Sequence, residues 1–97
     1  MTYRSAQSDI RFILDHIVPL QQVAATARFA EATPDLADAI LTEAARLCDE
    51  VIAPLNRGGD LHPARLENGI VRTSPGFADA LRQWGAGGWV GLAAGAA

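Results

Sequence analysis

The sequence predicts a mainly α-helical chain with one short β-hairpin. Three observations carry this: a helical apolar period over residues 8–18, a longer one from a Thr-Pro-Asp start at residue 33 to Leu55, and an Asn-Gly pair between two short β-prone runs. With 97 residues the chain holds one small domain at most. Apolar residues make up 49% and charged residues 20%, with a formal charge of -3, a balance suited to a folded protein rather than a disordered one.

In the first helix, Ile10, Ile13, Leu14, Ile17 and Val18 recur at i, i+3, i+4, i+7 and i+8 and so form one stripe. Ser8 is placed to cap its start, and Pro19 to stop it. Phe12 lies off the stripe and requires a second apolar neighbour, for which the Ala-rich segment Leu20 to Phe29 is the candidate.

Thr33-Pro34-Asp35 opens the clearest element. The hydroxyl caps the first turn, proline suits the first helical position and the acid faces the positive end of the helix dipole. Leu36, Ile40, Leu41, Ala44, Leu47, Cys48, Val51, Ile52 and Leu55 keep the helical period, while Asp38, Glu43, Arg46, Asp49 and Glu50 take the opposite face. Pro54 removes a backbone donor near the end, and Asn56-Arg57-Gly58-Gly59-Asp60 is expected to break the helix into a loop.

Arg65-Leu66-Glu67 and Ile70-Val71-Arg72 flank Asn68-Gly69, the pair best able to take the two positive φ angles of a type I′ turn. A hairpin this short needs support from elsewhere. Thr73 or Ser74 can then cap a helix beginning at Pro75, with Phe77, Ala80, Leu81 and Trp84 as its stripe and glycines 85, 87 and 88 at its end. Beyond it the helical signal stops. Trp84, Trp89, Val90 and Leu92 are expected to remain as exposed apolar surface.

The charge pattern excludes several functions. The 8 Lys and Arg are scattered singly, so no basic stripe exists for DNA or RNA phosphates. A lone Cys48 rules out an internal disulfide or a cysteine metal cage and fits a cytoplasmic setting. Met1-Thr2-Tyr3-Arg4-Ser5 lacks the apolar run of a signal peptide, and no stretch approaches a membrane span.

Each chemically capable group has a plainer role. His16 and His62 lie in separate elements without ligand-like spacing and read as surface residues. Cys48 falls on the apolar stripe, where a thiol behaves as a small hydrophobe. Asp35, Asp38, Glu43, Asp49 and Glu50 have the spacing, with Arg46, of a solvated helix face. Gly85-Ala86-Gly87 begins like a dinucleotide fingerprint, but position 90 is Val and the run follows a helix rather than a strand. Ser74 has Arg72 where a nucleophile elbow needs glycine. No catalytic, cofactor-binding or metal-binding residue is therefore assigned within the chain.

Two stretches carry a family resemblance. Tyr3-Arg4-Ser5-Ala6-Gln7-Ser8-Asp9-Ile10-Arg11-Phe12-Ile13-Leu14 resembles the N-terminal extension of the large bacterial acyl-CoA dehydrogenases of the 3-methylmercaptopropionyl-CoA dehydrogenase-like group. That group opens with Tyr-x-Ala-Pro, then Asp-Met-Arg-Phe and an apolar helix; here Ser5-Ala6 replaces Ala-Pro and Ile10 replaces Met. Ala32-Thr33-Pro34-Asp35-Leu36, leading to Val51-Ile52-Ala53-Pro54-Leu55-Asn56-Arg57 and Gly59-Asp60, is similar to the family's first long helix and the loop after it. Leu66-Glu67-Asn68-Gly69-Ile70-Val71, Pro75-Gly76-Phe77 and Gly87-Gly88-Trp89-Val90-Gly91-Leu92 continue in the family's order.

The resemblance implies the helical N-terminal domain of the acyl-CoA dehydrogenase fold, truncated. It divides the chain into residues 1–32, an extension with one amphipathic helix; 33–92, a partial N-terminal helical domain; and 93–97, a tail outside the family pattern. It also implies a flavoenzyme of fatty acid metabolism, in which FAD accepts the β-hydride of an acyl-CoA thioester, a carboxylate removes the α-proton, and an electron-transfer partner reoxidises the flavin. The apparatus for that oxidoreductase chemistry lies beyond the matching segments in the family, so FAD is not expected to bind this chain alone and the chain is expected to be inactive. Self-association through exposed apolar surface fits the same reading. The alternative is a freestanding helical module for protein interaction or dimerisation, using the stripe from Leu36 to Leu55.

Overall fold

The computed structural model describes residues 2–95 and is mainly helical, with one two-stranded antiparallel hairpin. Two compact units divide the chain, Met1–Glu50 and Val51–Ala97.

In the first unit, helix α1 runs Gln7–Phe12 and passes into one wide π-helical turn, Ile13–Ile17, closed by Val18 N–H donating to the Ile13 carbonyl at 2.9 Å. Pro19 follows directly, as its missing N–H requires. The start differs from the expected one. The helix begins before Ser8, at a cap position held by Ala6 with no side-chain hydrogen bond. Ser5 supplies the local closure instead, its carbonyl accepting from Gln7 N at 2.8 Å. Helix α2 is one short segment, Leu20–Ala24, and the chain turns through residues 26–31 where a longer Ala-rich element was open from the sequence.

Helix α3, Pro34–Leu47, starts as predicted. Thr33 is extended (φ −69°, ψ 155°), its hydroxyl accepts from Leu36 N at 3.2 Å, Pro34 takes the first helical position and Asp35 lies in the first turn. Leu47 is the apolar residue that is buried among the described residues. Ile40, Leu41, Ala44 and Cys48 are half-buried, while Leu36 is exposed.

A π turn over Cys48–Ile52 follows α3. The second unit then holds a 3-10 turn, Ala53–Leu55, and helix α4, Asn56–Leu61. The expected break at 56–60 is overturned: the backbone there is helical despite two glycines. The change of pitch around Pro54 accommodates a residue that cannot donate, and the helix resumes after it. Each glycine costs about 1 kcal/mol relative to alanine in a helix, and at Gly59 packing explains the choice. A Cβ there would meet Phe77 Cζ at 2.8 Å, so the bare backbone is what lets that ring approach.

Strands β1, Arg65–Glu67, and β2, Ile70–Arg72, pair antiparallel with Leu66 opposite Val71 and Glu67 opposite Ile70. Asn68 (φ 52°) and Gly69 (φ 76°) make the turn with the two positive angles the sequence called for. Every hairpin residue is exposed.

Helix α5 spans Phe77–Ala86, two residues later than a Thr73 or Ser74 cap would give. Gly76 occupies the cap position in left-handed geometry (φ 83°), where its carbonyl accepts from Ala80 N at 3.0 Å. A residue with a Cβ is disfavoured at that angle, and its Cβ would also lie 2.6 Å from Leu55 Cδ2. Ser74 is buried and its carbonyl accepts from Phe77 N at 3.2 Å, so it supports the turn through its backbone. The helix ends at Gly87 and a left-handed Gly88 (φ 80°). A single 3-10 turn, Trp89–Gly91, then appears where the helical signal was expected to have stopped.

Candidate functional site

The largest polar constellation lies in the first unit, where α1 and the residues before it meet α3 and the turn after it. Ser5 contributes twice: its backbone N–H and its hydroxyl both donate to Asp49 Oδ1, at 2.9 and 2.7 Å. Gln7 meets Thr42 Oγ1 across 2.8 Å. With the Gln7 amide oxygen turned inward, that oxygen accepts from Thr42 and also from Arg11 Nη2 at 3.0 Å. Arg11 Nε stands 2.9 Å from Asp38 Oδ1, close in distance but off the line of a hydrogen bond, and Nη2 reaches Thr42 Oγ1 at 3.4 Å.

The sequence missed this cluster. It assigned Asp38 and Asp49 to one solvated face with Glu43, Arg46 and Glu50. Positions 38, 42 and 49, spaced by four and seven residues, instead share a face of their own that receives Ser5, Gln7 and Arg11. The recoverable signal was a second polar stripe on α3, paired with polar residues at 7 and 11 on α1. By contrast Glu43, Arg46 and Glu50 behave as expected. Arg46 Nε donates to Glu43 Oε1 at 2.8 Å and Nη1 reaches Glu50 Oε2 at 3.4 Å. The hydrogen bond from Arg46 holds the exposed Glu43 carboxyl below its ordinary range, and the same bond raises the guanidinium.

The apolar face of α1 is turned differently from the sequence reading. Ile10, Ile13, Ile17 and Val18 are exposed, Ile17 by 66%, and Leu14 of that stripe is half-buried. Phe12 is also exposed; its ring lies beside His16, with centroids 4.8 Å apart.

His16 and His62 lie in separate units, and both are exposed. Among the described residues, no three His, Cys, Asp or Glu side chains converge as a metal ion would require. Cys48 is half-buried rather than fully buried. In the second unit Trp84 and Trp89 are also half-buried, their rings 6.0 Å apart and tilted by 35°, which corrects the expectation that both would be exposed; Val90 and Leu92 are exposed as expected.

The glycine run at 85–88 does not fit a flavin pyrophosphate. It forms the C-terminal end of α5, where the carbonyls and the negative end of the dipole point outward, whereas a phosphate needs the amide end of a helix. A Cβ at Gly87 would lie 2.7 Å from Trp89 Nε1, so the glycine is explained by the close approach of that indole.

Comparison with known proteins gives the chain its context. It is 41% identical over 92 residues to the 3-methylmercaptopropionyl-CoA dehydrogenase of Ruegeria pomeroyi. The match takes in 95% of this chain and 16% of the relative's length. The resemblance to the acyl-CoA dehydrogenases read from the motifs is therefore borne out across nearly the whole sequence. No protein-family model matches the chain.

Proposed function

We propose that this chain serves as the helical N-terminal portion of an FAD-dependent acyl-CoA dehydrogenase and catalyses nothing by itself. The observation carrying this reading is the 41% identity that runs along 95% of the chain yet occupies 16% of the relative. In the whole protein the reaction is α,β-dehydrogenation of an acyl-CoA thioester, with 3-methylmercaptopropionyl-CoA as the first substrate to test and an electron-transfer protein as acceptor. A cytoplasmic location belongs to the same reading; no helix among the described residues is long and apolar enough to cross a membrane. The flavin, when bound to the whole protein, supplies hydride acceptance. No step is assigned to residues of this chain: its glycine run does not suit a phosphate, and Asp38, Glu43 and Asp49 are engaged in helix-face and inter-helix contacts.

The test has two arms. In the first, the purified chain is assayed for co-purifying flavin and for reduction of a dye by 3-methylmercaptopropionyl-CoA. We expect colourless protein and no turnover; yellow protein that turns over thioester overturns the reading. In the second, the Ruegeria enzyme lacking its matching segment is supplied with this chain. Restoration of flavin retention or activity supports the reading, whereas a stable complex of this chain with itself and none with the enzyme favours the freestanding module.

A further inference from the structure

Three polar contacts tie α1 and the residues before it to α3 and the turn after it. They are Ser5 to Asp49, Gln7 to Thr42 and Arg11 to Asp38, spread along α3 and its following turn from residue 38 to residue 49. The apolar stripe of this segment is left partly uncovered, with Ile10 41%, Ile13 43% and Ile17 66% exposed and Leu14 half-buried. An apolar seam resists separation because it must be rehydrated, and salt does not weaken it. A polar seam at a half-exposed surface exchanges its partners for water at little net cost, and its ionic members are screened.

We propose that residues 5–17 are a strap latched to α3 by polar contacts, which opens as one piece while α3 stays folded. Asp49 is the principal catch, because one carboxylate oxygen accepts both the backbone N–H and the hydroxyl of Ser5 in a part-buried position. Arg11 is a second catch, an ion pair with the half-exposed Asp38 whose pairing atom, Nε, is itself buried. The π turn at Ile13–Ile17 and the proline after it form the hinge side, where the backbone already departs from a regular helix. Release of the strap uncovers the Asp38, Thr42 and Asp49 face of α3 and frees the strap to turn its isoleucine stripe inward.

Amide hydrogen exchange on the full chain tests this. Asp49→Asn keeps the size of the side chain and removes its charge. It is expected to raise exchange of the 10–17 amides about tenfold while the 40–47 amides keep their wild-type rates. Ser5→Ala, which leaves α3 untouched, should raise the same strap amides by a smaller factor and decides the matter if the Asp49 variant unfolds. About 1 M sodium chloride, where screening extends to roughly 3 Å, should raise strap exchange several-fold with α3 again unchanged. The proposal is overturned if Ser5→Ala or salt accelerates strap and α3 amides in proportion, or if neither changes strap exchange.

Discussion

Single residues in this chain are best explained by what their backbones must do. Gly76 and Gly58 make the contrast. Gly76 caps α5 at φ 83° and would press a Cβ onto Leu55, whereas Gly58 lies in α4 with nothing within 4 Å of its missing Cβ. The left-handed region costs a non-glycine residue roughly 1–2 kcal/mol. In a helix, replacing glycine with alanine returns about 1 kcal/mol through the lower entropy of the unfolded chain. Gly76→Ala should therefore destabilise and Gly58→Ala stabilise, the two midpoints of urea unfolding moving in opposite directions. Shifts in the same direction would mean that one of the two backbones is not as described. The sequence marked Gly58 and Gly59 as breakers and gave Gly76 no conformational role, because composition alone cannot tell a glycine required by a positive φ from one tolerated because a ring, here Phe77 over Gly59, needs the space.

At the scale of elements, what was legible followed from strictly local chemistry. Thr33-Pro34-Asp35 and Asn68-Gly69 act on the backbone within a few residues, and both appear where the sequence put them. Thr33→Ala removes the acceptor for Leu36 N and is expected to lower stability by about 1 kcal/mol. Thr33→Ser should restore it, and Ser8→Ala should have no comparable effect because Ser8 does not cap α1; circular dichroism followed through thermal unfolding distinguishes the three. What was not legible needed knowledge of a partner surface. The period of α1 identified its apolar stripe but not which face would dock, since an inward apolar face and an inward polar face produce the same sequence pattern. The end of α3 and the start of α5 were misplaced for a related reason: a π turn near Pro54 and a left-handed cap at Gly76 are backbone solutions without a unique side-chain signature.

For the molecule as a whole, the decisive fact is how little apolar surface is put away. Leu47 is buried, while Ile13, Ile17, Leu66, Val71, Leu81 and Val90 are exposed, and exposure occurs in each of the two units taken separately. The small net stability of a domain is a difference between large terms, and apolar burial is the chief favourable one. A chain that leaves this much uncovered is expected to be marginal, and to bind a hydrophobic dye in native buffer. Ile13→Glu with Ile17→Glu, both exposed in the π turn after α1, should lower that dye signal and any self-association seen by sedimentation, without loss of helical signal. Leu47→Ala should do the reverse, because removing a buried leucine costs about 2–5 kcal/mol and a marginal fold cannot absorb it. The opposite pairing, a dye-silent native chain that the double glutamate variant unfolds, would show that the isoleucines are packed inward and would remove the physical reason for expecting a longer protein around this one. A dye signal that the glutamates abolish, and that the Ruegeria enzyme lacking its matching segment also suppresses, would identify the isoleucine face as the surface such a protein covers.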